Sequence, residues 1–437
     1  MNDKNRRPLA ALTAASAMSV MVALAACSPS SSSSGSAGSG GPAAGKNVTL
    51  SVWSWRTEDI AAYNAIFAVY EKAHPGTKVD FKAFKNTEYN LILTTGLAGS
   101  GGPDVAQVRS YGQLQPTIAS KSLLPLDDVV DLSSWDANVV KSAKGNNDGK
   151  LYAVPLAQQT LQMFYNKDIF AKSGLIPPTT WAEFMAVNTK LKAQNVIPMA
   201  VGAKDSWMLP IVHQVLAAPR FGGSAFETSV LTGKTTFNDP NWVASLNVVD
   251  QLKPYLPDSA VGVAYTDAQI LFTSGKAAMF PGGSFELGFF QKQNPALNMG
   301  VFEVPAPTDS PSMTPTTTGY ADGAFGISAK SDAQDASKDL VKWMSTKAFG
   351  QLVADKIKQL SAVPGVSYAD PLMKQMADNS AKNPTPYLLL VDFRYGTPSG
   401  TELLGTGVQE MLLGTKSAAA ISADLQTGVS QWFKPKV

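Results

Sequence analysis

Apolar residues recur with two different periods along this chain. Val48 to Trp53 (VTLSVW) alternates apolar and polar positions and is β-branched, which predicts a half-buried strand. Asp59 to His74 changes to a helical period, with Ile60, Tyr63, Ile66, Phe67 and Tyr70 on one side, and Pro75-Gly76 stops it. Thr77 to Phe84 (TKVDFKAF) alternates again. Tyr89 to Ala98 reads as a second helix, closed by Gly99-Ser100-Gly101-Gly102-Pro103, and Asp104 to Val108 as a short apolar strand. This order implies a parallel sheet with right-handed crossovers. Helix and strand patterns alternate again from Leu151 to Phe237. Lys276 to Phe280 and Ala324 to Ser328 read as strands arriving after long helices, and no short repeat is visible.

Local signals sharpen two boundaries. Thr180 before Trp181-Ala182-Glu183 predicts a helix start, with Glu183 completing a capping box. Tyr165-Asn166-Lys167-Asp168 ends a strand and opens a short helix, with Asn166 as the turn former.

The first 46 residues follow neither period. Lys4, Arg6 and Arg7 precede a small, apolar, uncharged run from Leu9 to Ala26, which reads as an export signal rather than a membrane span. Leu24-Ala25-Ala26-Cys27 resembles a bacterial lipobox, so Cys27 is expected to carry lipid and become the first mature residue. Ser28 to Gly45 is nearly all Ser, Gly, Ala and Pro and predicts a flexible tether spanning about 25 Å. The expected division is 1–26 signal, 27–46 tether, and a globular part from about residue 47.

Composition removes several function classes. Residues 27–437 leave 411 positions, enough for two domains with a large core. The net charge of +2 arises in the signal, so nucleic-acid binding has no electrostatic footing. Cys27 is the only cysteine, so no disulfide is expected, and two histidines, His74 and His213, argue against zinc. No cofactor or metal is expected. Gly99 to Pro103 lacks the Gly-Lys-Ser/Thr of a nucleotide loop and reads as a tight turn.

Taken in order, several patches resemble the extracellular solute-binding proteins of carbohydrate ABC transporters, the group that contains maltose-binding protein. They are Val52-Trp53-Ser54-Trp55, Phe67 to Phe81, Gly99 to Val105 (GSGGPDV), Gly149 to Pro155 (GKLYAVP), Phe164 to Asp168, Pro177 to Phe184, Phe272 to Gly283 (FTSGKAAMFPGG) and Gly326 to Lys330. The resemblance spans about Val48 to Phe433. It implies a type II two-lobed α/β fold with crossings near Val154–Gln159, Lys276–Phe280 and Thr318–Phe325. Lobe one would be 47–156 with 278–320, and lobe two 157–277 with 321–437. It also implies capture of a sugar in the interlobe cleft, delivery to permease subunits, a monomer, and an exported protein lipid-anchored at the cell membrane.

Sugars offer flat C–H faces and a rim of hydroxyls, so their sites combine aromatic plates with carboxylates, amides and guanidinium groups. Loops after strands hold that mixture: Trp55 and Glu58; Arg109 and Tyr111; Gln158 and Gln159; Asp205 and Trp207; Phe285 and Glu286, where relatives often hold a tryptophan; Tyr320 and Asp322; and Asp392, Phe393 and Arg394. Trp207 reads as a sugar plate, whereas Trp181 and Trp343 sit on helical faces and read as core. Asp322 reads either as a ligand contact or as a hinge ion-pair partner. Asp392 and Arg394 could pair with each other. A polyol or glycerol-phosphate binder, or a surface adhesin or sensor, are the alternatives. No glycosidase pair, Gly-x-Ser-x-Gly elbow or His-Glu-x-x-His motif marks an enzyme.

Overall fold

The computed structural model describes residues 47–436. The export segment, Cys27 and the tether lie outside the described residues. Nine strands form one sheet: β1 (Val48–Ser54), β2 (Thr77–Ala83), β3 (Val105–Val108), β4 (Val154–Asn166), β5 (Ile197–Met199), β6 (Ala277–Gly283), β7 (Met299–Phe302), β8 (Thr317–Ile327) and β9 (Pro384–Pro386). The strand order is β2-β1-β3-β8-β4-β6-β5, with β7 beside β4 and β9 beside β8.

The first βαβαβ unit forms as its periodicity requires. β1 is parallel to both β2 and β3, and the helices Ile60–Ala73 and Asn86–Ala98 connect them. Tyr63, Ile66, Phe67 and Tyr70 are buried on one face of the first helix, and Tyr63 stacks on Phe81 with ring centroids 4.5 Å apart. The capping box is present: Glu183 N–H donates to Thr180 Oγ1 at 3.2 Å, and Thr180 N–H donates to Glu183 Oε2 at 3.1 Å. Asn166 Oδ1 caps the next helix by accepting from the Asp168 and Ile169 N–H groups, both at 3.0 Å.

Two long strands tie the sheet together. The end of β8, Ala324 to Ile327, is antiparallel to β3, while its earlier residues pair with β4. The end of β4, Leu161 to Asn166, pairs with β6 and β7. β4 and β8 therefore run from one half of the molecule into the other.

The division expected for the lobes does not follow this hydrogen-bond pattern. β6 lies between β5 and the end of β4, so the segment 278–320 begins in the second half rather than returning to the first. Residues 324–327 belong with β3, and the helix Gln334–Met344 packs on β1 and β8. Residues 359–362 also meet the first half of β4. There Gln158 N–H donates to Leu360 O at 2.8 Å and Ala362 N–H to Leu156 O at 3.0 Å, beside an Ala157–Ser361 bridge. Among the described residues, no helix is long and apolar enough to cross a membrane.

Candidate functional site

Strand register defines where a site can form. β3 ends at Val108, opposite Ala324, and β6 ends at Gly283, opposite Leu161. β3 runs parallel to β4 and β6 runs against it, so their carboxyl ends point toward each other over the middle of β4 and β8. Gln159 pairs with Tyr320, and Ala157 with Asp322. Side chains alternate across a strand, so Gln159, Tyr320 and Asp322 share one face, and Gln158, Thr160, Gly319 and Ala321 share the other.

The loops after β1 and β3 deliver aromatic and charged groups to the first face. Trp55 is buried and packs on Gly323. Gly323 has φ +69°, and a Cβ there would approach the Trp55 ring to 3.1 Å, so glycine serves both the backbone and the close contact. The Arg109 guanidinium lies 3.9 Å from the Trp55 ring centroid and donates to Asn86 and Asn90. Arg56 binds Glu58 at 3.0 Å and Asp59 at 2.7 Å. Its Nη2 is buried without a hydrogen-bond partner, as is the Tyr63 hydroxyl.

The other half supplies tyrosines and acids. Asp205 accepts the Tyr265 N–H at 2.7 Å, and Trp207 meets Tyr265 edge-on, with centroids 4.8 Å apart. Tyr265 and Gln269 both donate to buried Glu286, at 2.8 and 2.7 Å. Phe285 is half-buried and packs against Gly283. Tyr320 packs edge-on against Tyr387, 5.4 Å between centroids. A cavity of about 270 Å³ opens between Arg109 and Arg394, with Asn90 and Glu402 also in its wall.

The electrostatics are unusual for a folded core. Among the described residues, Asp322, Arg109 and Arg394 form no ion pair, and Arg394 Nε is buried without a partner. Burial raises the Asp322 carboxyl above its ordinary range, against the pull of Arg109, Arg56 and Arg394. Burial lowers Arg109 to about 10. Burial also lifts Glu286 to about 7, although the bonds from Gln269 and Tyr265 oppose it. Half-buried charges without an ion-pair partner are costly, and a ligand that supplies hydroxyls to both signs would relieve them.

Some expected residues are engaged within the fold, and others lie off this face. Gln159 is committed within the hinge: it accepts from Ser284 Oγ at 2.6 Å and donates to Gln359 at 3.0 Å. Phe393 is fully buried core against Phe237, Trp432 and Phe433. Gln158, Tyr111 and Asp392 line a cavity on the opposite face. Tyr111 Oη accepts the Ala321 N–H, and Asp392 pairs with Lys141 at 3.5 Å rather than with Arg394. Three groups escaped sequence reasoning. Arg56 had a signal, a lone guanidinium between Trp55 and Glu58. Tyr265 and Tyr387 had none, because their neighbours carry no motif.

These features sit on a fold with many known counterparts. The chain belongs to the bacterial extracellular solute-binding proteins, whose family profile matches residues 53–351. It is similar to the multiple sugar-binding protein of Streptococcus mutans, 26% identical over 330 residues, covering 73% of this chain and 76% of that one. It is also similar to the mannitol-binding protein of Pseudomonas aeruginosa, 26% identical over 335 residues, with 72% and 73% covered. A chitin oligosaccharide binding protein superposes with TM-score 0.75 at 22% identity, covering 89% of this chain and 99% of that one. The raffinose complex of the binding protein RafE gives 0.71 at 22% identity, covering 88% and 99%. The fold is the type II two-lobed α/β fold of these binding proteins.

Proposed function

We propose that this protein is the substrate-binding component of an ABC importer and that it captures a neutral sugar or oligosaccharide between two lobes. The observation that carries the reading is Asp322, a half-buried carboxylate with no ion-pair partner among the described residues, in the field of Arg109, Arg56 and Arg394, with Tyr320 two positions before it on β8 and Trp55 packed on the neighbouring Gly323. A vicinal diol can donate to such a carboxylate and accept from such arginines, while an aromatic ring covers its apolar face. The names of the similar proteins, which mention multiple sugars, mannitol, chitin oligosaccharide and raffinose, point the same way.

Charge balance favours a neutral ligand over a sugar phosphate. Arg56, Arg109 and Arg394 are matched by Glu58, Asp59 and Asp322. A polyol remains the second reading, because mannitol offers the same hydroxyl chemistry and is named for one similar protein. The lobes follow the strand pairing: 47–157 with about 322–365, and about 158–321 with 366–436. β4, β8 and residues 359–362 form the hinge. The protein binds without breaking bonds, is held at the membrane by lipid on Cys27, and hands its ligand to permease subunits as a monomer.

A thermal-shift screen tests this directly. It compares neutral mono- and oligosaccharides, polyols, sugar phosphates and amino acids. A ligand at about a hundred times its dissociation constant stabilises by about 2.7 kcal/mol. We expect shifts from neutral saccharides or polyols; shifts confined to phosphates or amino acids would refute the reading.

A further inference from the structure

A second cavity, about 720 Å³, lies across β4 and β8 from the site described above. Register puts Gln158, Thr160, Gly319 and Ala321 on this side, whereas Gln159 and Asp322 turn to the other; Tyr320 also lies in this cavity's wall. Its walls come from both halves. The helix Ala137–Lys141 contributes Asn138 and Lys141, the helix Gly223–Leu231 contributes Ser224 and Glu227, and the helix Pro371–Lys382 contributes Ser380.

The volume falls within the roughly 300–1,000 Å³ typical of small-molecule sites. The lining mixes apolar groups with hydroxyls and amides, among them Gln158, Thr160, Ser224, Ser361 and Ser380. Its charge is unbalanced, since Asp136, Glu227 and Asp392 face a single ammonium, Lys141. Asp136 is committed to capping a helix, where its Oδ1 accepts from the Asn138 and Val139 N–H groups. Lys141 lies 3.5 Å from Asp392. Glu227 and Asp392 both line the chamber, and burial first, then the neighbouring Asp392 carboxyl, lifts Glu227 to about 8, with Lys141 opposing. Two carboxyls thus line one roomy chamber with a single cation, Lys141, beside Asp392.

We propose that this cavity is a second binding site, for a small hydroxyl-rich organic cation, separate from the sugar cleft. The ammonium would sit against Glu227 and Asp392, and the hydroxyls would bond Gln158, Thr160 and Ser380. The hinge strands form its floor, so an occupant here contacts the backbone on which the cleft also rests. The proposal does not depend on which solute the cleft takes.

N-methylglucamine is a suitable probe, with sorbitol as its uncharged counterpart. Calorimetry is run on the mature protein above pH 8, where Glu227 is ionised and the amine still charged. We expect N-methylglucamine to bind at least about tenfold more tightly than sorbitol. Glu227→Gln, which keeps shape, should weaken it about tenfold, and Ser380→Trp, which fills the chamber, should abolish it. Circular dichroism checks folding, and if Ser380→Trp does not fold, Glu227→Gln decides. Equal binding of the two probes, undiminished binding in the variants, or no heat from N-methylglucamine at millimolar concentration would each overturn the proposal.

Discussion

Trp207 stands half-buried at the start of the helix Met208–Phe221 and meets Tyr265 edge-on, and in the proposed site its ring would cover a sugar face. Losing such a plate removes apolar contact worth about 1–3 kcal/mol, roughly 5- to 150-fold in affinity. Trp207→Ala should therefore weaken ligand binding by that much in calorimetry, with circular dichroism unchanged; an affinity within twofold of wild type would remove Trp207 from the site. Glu286 makes a pH prediction. Its folded pKa of about 7 lies above the ordinary carboxyl value, so the folded state prefers the protonated form. Its contribution is complete below the unfolded pKa and is lost as pH rises through about 7, a change on the order of 3 kcal/mol. The melting temperature should fall between about pH 5 and pH 8, and Glu286→Gln should flatten that fall. A slope unchanged in the variant would assign the dependence to another group. The candidate site residues came from a local signal. Trp55, Arg109, Trp207 and Asp322 each follow or interrupt an apolar strand, which marks them for a strand-end site. Gln158 and Gln159 show the limit: alternation requires them to face opposite ways, but only the partners in the fold, Ser284 and Gln359, decide which way is which. Phe393 between two charges looks like loop, and only Phe237, Trp432 and Phe433 make it core.

Among the elements, the strands were easier to find than their neighbours. β6 is buried at every position, so its sequence suits either half of the sheet, and its partners β4 and β5 are fixed by non-local pairing. The crossing at residues 359–362 makes only an isolated bridge and backbone bonds, and carries no alternating pattern that periodicity could detect. The capping box at Thr180 was legible because its whole mechanism lies within four residues. β8 offers a test of how the hinge positions the site. Gly323→Ala forces a Cβ into φ +69° and against Gln107 and Trp55. It should cost about 1–3 kcal/mol of stability and weaken ligand binding by displacing Trp55. Gly319→Ala, whose Cβ would have nothing nearer than 3.5 Å, is the control. Equal behaviour of the two variants in thermal melts and titrations would show that Gly323 does not hold Trp55 in place.

At the scale of the whole molecule, the proposed lipid on Cys27 has its own test. Cys27→Ala should release the protein from the membrane fraction or leave its precursor uncleaved, and labelled fatty acid should enter only the wild type. Unchanged fractionation with no label in the wild type would remove the lipid from the account. Two-lobed closure requires a ligand that is held better when both halves touch it. Arg109 and Trp55 come from one side of the hinge and Arg394 and Trp207 from the other, with Asp322 on the hinge strand between them. Asp322 is therefore the group whose removal most directly separates ligand recognition from folding. Its raised pKa means that its charge costs folding free energy at neutral pH, so Asp322→Asn should melt no lower than wild type. The decisive measurement is a calorimetric titration of wild type and Asp322→Asn with the neutral saccharide or polyol that gives the largest thermal shift. The account predicts at least about tenfold weaker binding in the variant at unchanged or higher melting temperature. Equal affinity in the two proteins, or binding only of phosphorylated or amino-acid ligands, would contradict it.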